Sequence, residues 1–289
     1  MHSAATIPPP PTPPSGDAPA TRLGGAAVRS FGHGQPLLLL HGGVGSWTHW
    51  RRNVAALAPR FRVYAADLPG FGEAPDVPRG TTPEGFLDIV MASFATLASR
   101  EGPLRIAGFS FGAALGATLA RRLGTGCAAF AAVGPGGFGE APGRKLDLRP
   151  VPPSGDPAYR AAIRHNLSVS MIADPGAIDD ATVDLHCANL TRARFDSRRI
   201  SLRATLLNDL ARIGAPVMAI WGGADRLAWP SVADRIAALL RARPDARIET
   251  IPGAGHWTQY ERPAPINGLL IDFFGQPPAP PTANRELPE

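Results

Sequence analysis

Leu104-Arg105-Ile106-Ala107-Gly108-Phe109-Ser110-Phe111-Gly112 decides the reading of this chain. Leu104–Phe109 is a short apolar run and Phe111–Leu123 carries a helical pattern, so Ser110 is expected on the turn between a strand and a helix. Gly108 and Gly112 flank it in the pattern G-x-S-x-G. That pattern sets a serine on a sharp, strained turn; glycine on both sides lets strand and helix approach closely and leaves the hydroxyl open. The helix N-terminus adds partial positive charge beneath the reacting atom. A serine in an ordinary strand-to-helix turn is the plain alternative, and partners elsewhere in the chain decide between the two.

Outward from this stretch, apolar runs with abrupt turn signals recur at Pro36–Leu40, Phe61–Ala66, Cys127–Val133, Pro216–Trp221 and Ala246–Ile251. Helical patterns fill the gaps at Thr48–Leu57, Pro83–Ala98, Val232–Leu240 and Ala264–Phe274. Short, mainly apolar strands with abrupt turn signals, alternating with helices, predict a parallel sheet covered on both faces, an α/β fold. From about Gly134 to Ile213 there is no strand pattern, and helices are expected over Arg160–Met171 and Asp180–Phe195. Such an insertion reads as a helical cap over the strand ends, where ligands bind in parallel sheets. The organisation is therefore a core over 21–133 and 214–275, a cap over 134–213, and Pro-rich disordered tails at 1–20 and 276–289.

Ser110 needs a base. His256, in Gly253-Ala254-Gly255-His256-Trp257, follows the last strand and precedes the last helix. His2 lies in the tail, His33 before a strand, His49 at a helix start, and His165 and His186 on cap helices. The histidine needs a carboxylate to hold its tautomer and stabilise the imidazolium. Asp225, in Trp221-Gly222-Gly223-Ala224-Asp225, sits just after the next-to-last strand. Asp67 also follows a strand but precedes Leu68-Pro69-Gly70, which gives it a turn-fixing role. The order Ser110, Asp225, His256, each at a strand end, is a joint signal that none of the three carries alone. Backbone donors for an oxyanion are expected from Phe111 and from Gly43 in His41-Gly42-Gly43-Val44-Gly45, with Val44 as the alternative.

The 289 residues are 44% hydrophobic, enough for one large core. The net charge is +5 and the pI about 10.0. Lys145 is the one lysine; the remaining positive charge is arginine, scattered as pairs such as Arg121-Arg122 without a basic run. That pattern speaks for a solvated surface and against a nucleic-acid partner, while leaving room for anionic substrates. Cys127 and Cys187 have no CxxC spacing and read as inert thiols. No HExxH and no grouped His, Cys or Asp suggests a metal, the glycine loops lack dinucleotide spacing, and the chemistry calls for no cofactor. With no signal-peptide pattern and no apolar stretch of spanning length, the expectation is a cytoplasmic protein without membrane contact, acting on a small molecule. A homodimer is left open.

LLLLHGG, DLPGFG, GFSFG, WGGADR and GAGHW, spread over roughly Pro36 to Phe274, resemble the α/β-hydrolase superfamily. The resemblance implies a mostly parallel eight-stranded sheet with helices on both faces and a helical cap, and a triad on Ser110, Asp225 and His256. A serine at this position is unlike the dehalogenases and epoxide hydrolases of the superfamily, which use aspartate. HGGVGSWTHW and GHWTQYERP look nearest to the meta-cleavage product hydrolases, which cut a carbon–carbon bond in ring-fission products. Those hydrolases carry asparagine before the nucleophile and an arginine on a cap helix for the substrate carboxylate. Here Phe109 stands at the first position, and Asn189 at the second, with Arg192 and Arg194 a turn away on the same expected helix. Phenylalanine cannot hydrogen-bond a dienol oxygen. The preferred reaction is thus hydrolysis of an ester, thioester or lactone through an acyl-enzyme. Carbon–carbon hydrolysis, and a non-hydrolytic binding protein or acyltransferase, are the alternatives. Gly42, Phe109, Asn189, Arg192 and Trp257 are the candidate substrate contacts, and Phe111, Trp47 and Trp229 candidate pocket linings; plain core packing is the competing role for each aromatic.

Overall fold

The computed structural model describes residues 18–139 and 145–276, so most of both expected tails lies outside the described residues. Eight strands form one sheet in the order β1-β2-β4-β3-β5-β6-β7-β8. They are β1 (Thr21–Leu23), β2 (Ala26–Phe31), β3 (Gln35–Leu40), β4 (Phe61–Asp67), β5 (Leu104–Phe109), β6 (Cys127–Val133), β7 (Val217–Gly222) and β8 (Arg247–Ile251). From β4 to β8 all neighbours are parallel; β2 runs antiparallel to both β1 and β4. The hairpin β1–β2 has no wholly apolar run to mark it, since Arg29 and Ser30 interrupt β2.

The apolar runs are continuous because both faces of the sheet are covered. Side chains alternate across a strand. Leu38 and Leu40 of β3, and Leu104 and Ile106 of β5, enter one core; Leu37, Leu39, Ala107 and Phe109 enter the other. The first core is closed by α2 (Pro83–Glu101), α3 (Phe111–Leu123) and α8 (Val232–Ala242). The second is closed by α1 (Arg51–Leu57) and α10 (Pro263–Gly275). The helix expected from Thr48 starts instead as a 3-10 turn, Trp47–Trp50, capped by the Ser46 hydroxyl, before α1.

Between β6 and β7 the described residues hold α4 (Tyr159–Ser170), α5 (Asp180–Thr191), α6 (Arg198–Ser201) and α7 (Leu206–Ala211), with no strand. Ile163 and Leu167 of α4 and Val183 and Leu185 of α5 share a buried cluster with Trp257 and Tyr260, at the carboxyl ends of the strands. Ile200, Leu206 and Leu210 join the core around α3 on the other face. The expected helix to Phe195 stops at Thr191. Beyond it the Arg194 N–H donates to the Gly70 carbonyl at 2.8 Å, and its guanidinium binds Asp76 and the carbonyls of Gly72 and Ala74. These bonds draw the chain off the helical path, so Arg192 and Arg194 do not share a helix with Asn189.

Candidate active site

Ser110 sits between β5 and α3 with φ 52° and ψ −113°, the left-handed half of backbone space that L-residues avoid. Two close approaches hold it there. A Cβ on Gly108 would collide with the Gly112 carbonyl, and one on Gly112 with the His41 carbonyl. The turn is further pinned by Ser110 N–H to the Val133 carbonyl, 2.9 Å, and Gly136 N–H to the Ser110 carbonyl, 3.1 Å.

His256 follows β8, and its buried ring faces Gly134, where a Cβ would stand 3.2 Å from it. His256 Nδ1 and Asp225 Oδ2 are 2.8 Å apart, the nitrogen donating to the ionised carboxylate. That bond leaves the lone pair on Nε2, a buried atom with no hydrogen-bond partner among the described residues. Burial works against ionisation of Asp225, but its interaction with the His256 ring and the N–H groups of Leu227 and Ala228 outweigh it. The carboxyl is held below its ordinary value.

The glycine loop after β3 is shaped by two histidines. His49 Nδ1 accepts from the Gly42 N–H at 3.1 Å, and His41 Nε2 accepts from the Leu68 N–H at 3.0 Å. Gly42 is thereby engaged. Gly43 faces Phe111, since a Cβ on it would lie 3.9 Å from that of Phe111 and against the Ser197 hydroxyl. Phe111 opens α3, and the first N–H groups of a helix have no acceptor inside it. Asp67 takes the Trp47 N–H at 2.7 Å and the Glu73 N–H at 3.0 Å, so it ties this loop to the turn after β4. Burial holds His49 well below its ordinary value, with the nearby His41, His186 and His256 adding to the effect.

Ser110 and His256 open on one cavity of about 530 Å³, with Gly136, Phe138, Ser201, Leu202, Leu227 and Arg235 among its walls. Of the candidate contacts, Gly42 stands beside Ser110, where a Cβ on it would lie 3.3 Å from the serine Cβ, while Phe109, Asn189, Arg192 and Trp257 are not among the walls of this cavity. Phe109 is fully buried behind the site, its ring 5.1 Å from that of His256 and 5.4 Å from that of His49. Asn189 Oδ1 accepts from the hydroxyls of Ser46 and Thr48. Arg192 is exposed, 4.0 Å from Glu73. Trp257 is buried, its indole N–H donating to the His49 carbonyl at 3.1 Å, with Tyr260 stacked at 4.0 Å. Trp47 packs near Phe31 under Arg29, and Trp229 lines a separate groove beside Asp225. Sequence reasoning missed Arg235, Ser197 and the loop-setting role of His49; His49 lies within HGGVGSWTHW, but its bond to Gly42, like the places of the other two, comes from tertiary packing. Among the described residues no cluster of His, Cys, Asp or Glu could hold a metal ion, and no helix is long and apolar enough to cross a membrane.

A serine on a strained turn, a histidine with its lone pair open and a buried carboxylate behind it is an arrangement able to perform nucleophilic acyl chemistry. Comparison with known proteins agrees at the level of family: the sequence profile of the alpha/beta hydrolase family matches residues 37–269. The chain belongs to the alpha/beta hydrolase family. This hydrolase is 29% identical over 279 residues to the dihydrolipoyllysine-residue acetyltransferase component of the acetoin cleaving system of Pseudomonas putida, covering 90% of this chain and 70% of that one. It is 26% identical over 276 residues to the 2-hydroxy-6-oxo-6-phenylhexa-2,4-dienoate hydrolase of Burkholderia cepacia, covering 86% and 90%. Among solved structures, the hydrolase matches a serine hydrolase of the polyaromatic-hydrocarbon-degrading bacterium Cycloclasticus zankles with TM-score 0.70 at 18% identity, covering 89% of this chain and 96% of that one. A meta-cleavage product hydrolase of Pseudomonas fluorescens IP01 matches with TM-score 0.67 at 22% identity, covering 86% and 94%. The resemblance to the meta-cleavage product hydrolases drawn from HGGVGSWTHW and GHWTQYERP is thus met by relatives of that kind.

Proposed function

We propose that this hydrolase cleaves a carboxylic ester, thioester or lactone through an acyl-enzyme on Ser110. His256 Nε2 takes the hydroxyl proton as Ser110 Oγ attacks the carbonyl carbon, and the imidazolium is stabilised by Asp225. The N–H groups of Gly43 and Phe111 receive the oxyanion. His256 returns its proton to the leaving oxygen or sulfur as that bond breaks, and then activates the water that releases the acid. The helices α4 and α5 serve as the cap. The observation that carries this reading is the 2.8 Å bond from His256 to Asp225, which fixes an unpartnered Nε2 in the wall that His256 shares with Ser110.

Relatives named as dienoate hydrolases favour carbon–carbon cleavage as a second reading. Against it, Phe109 offers no hydrogen bond and Arg194 is committed to the Gly70–Asp76 turn. The alternative in which the acyl group passes to an acceptor other than water uses the same acyl-enzyme. A panel of short p-nitrophenyl esters, lactones and yellow ring-fission dienoates tests the choice. Turnover of esters that Ser110→Ala abolishes is expected; bleaching of the dienoates with inert esters would reverse the two readings.

A further inference from the structure

Among the described residues lining the cavity of Ser110 and His256, Arg235 is the one with a permanently charged side chain. It projects from α8 and stacks its guanidinium 4.2 Å from the centre of the Phe138 ring. Phe138 in turn follows Gly136 by two residues, and the Gly136 N–H binds the Ser110 carbonyl. The cation therefore stands one aromatic ring beyond the loop that abuts the nucleophile. Leu202 and Leu227 are partly exposed on the same cavity.

We infer that this enzyme selects substrates bearing a carboxylate separated from the scissile carbonyl by an apolar spacer, and that Arg235 is the residue that recognises the carboxylate. The inference rests on the ester reading above. The spacer lies along the leucine and phenylalanine walls, and the carboxylate meets the guanidinium in the paired geometry that arginine offers. The interaction is half-exposed, so it discriminates by about tenfold, not by thousands, and it weakens as salt is added.

Two matched pairs test it and locate the carboxylate. Mono-p-nitrophenyl glutarate against p-nitrophenyl pentanoate places the charge on the acyl side. The pentanoate ester of 4-hydroxybenzoate against phenyl pentanoate places it on the leaving group. In one of the pairs the native enzyme should favour the anionic ester about tenfold in kcat/KM. Arg235→Gln should bring that ratio to near one by lowering kcat/KM on the anionic ester about tenfold more than on its neutral partner, and Arg235→Lys should restore part of it. No anionic preference in either pair, or a preference that Arg235→Gln leaves intact, would overturn the assignment. Failure of all four esters, with Ser110 unlabelled by a fluorophosphonate, would instead overturn the ester reading and this inference with it.

Discussion

Ser110 is held at a backbone angle that costs on the order of 1–3 kcal/mol for a residue with a side chain, and the close packing of Gly108 and Gly112 imposes it. Gly112→Ala should therefore lose soluble folded protein, because the new methyl meets backbone, which cannot rotate away; circular dichroism of the soluble fraction checks this. Asp225→Asn should keep the fold and lower kcat on a p-nitrophenyl ester by about 10⁴, since an amide N–H turned to His256 Nδ1 would favour the wrong tautomer. Serine, histidine and aspartate were legible at this scale because each follows an apolar run in a fixed order. Arg235 and Ser197 were not, because a residue on a remote helix or loop becomes part of the site through packing alone.

At the scale of elements, the junction between the 171–174 segment and the histidine loop depends on Glu261. Its buried carboxylate accepts from the N–H groups of Gly255 at 2.7 Å, Asp174 at 3.0 Å and Ala173 at 3.1 Å. The Trp257 N–H adds a bond to the Met171 carbonyl at 2.7 Å. Removing this acceptor leaves the buried Gly255 N–H unsatisfied and frees the part-buried N–H groups of Ala173 and Asp174, so Glu261→Ala should lower stability by about 2 kcal/mol. Urea unfolding measures that loss, and an unchanged midpoint would count against it. The helix pattern from Asp180 onwards looked continuous to Phe195, yet α5 ends at Thr191. Periodicity could not show this, because the bonds that end the helix come from the Gly70–Asp76 turn, far away in sequence. The strand runs β3 to β7 were legible because burial on both faces leaves little room for polar residues, while the edge strand β8, RIETI, is only partly buried and was marked by the Pro252-Gly253 turn after it. The β1–β2 hairpin escaped because an antiparallel edge tolerates Arg29 and Ser30.

Across the whole molecule, the buried His41 and His49 and the half-buried His186 link folding to pH. Burial holds His41 and His49 below the ordinary value of 6.5 and lowers His186 to about 4. The unfolded chain therefore binds these protons first, so their contribution is complete above about 6.5 and is lost as pH falls towards 4. Asp225, also lowered in the folded protein, adds a loss of the same sign at still lower pH. The urea midpoint should fall between pH 7.5 and pH 5; equal midpoints would contradict the assignment of these rings as neutral. The sheet, its two cores and the helices at the strand ends all converge on one reactive oxygen, and that is the point to test. Intact-protein mass spectrometry of the enzyme mixed rapidly with p-nitrophenyl acetate should show a single added acetyl group, mapped to the Ser110 peptide and missing in Ser110→Ala. An acetyl group elsewhere, or ester turnover that persists undiminished in Ser110→Ala, would contradict catalysis through Ser110.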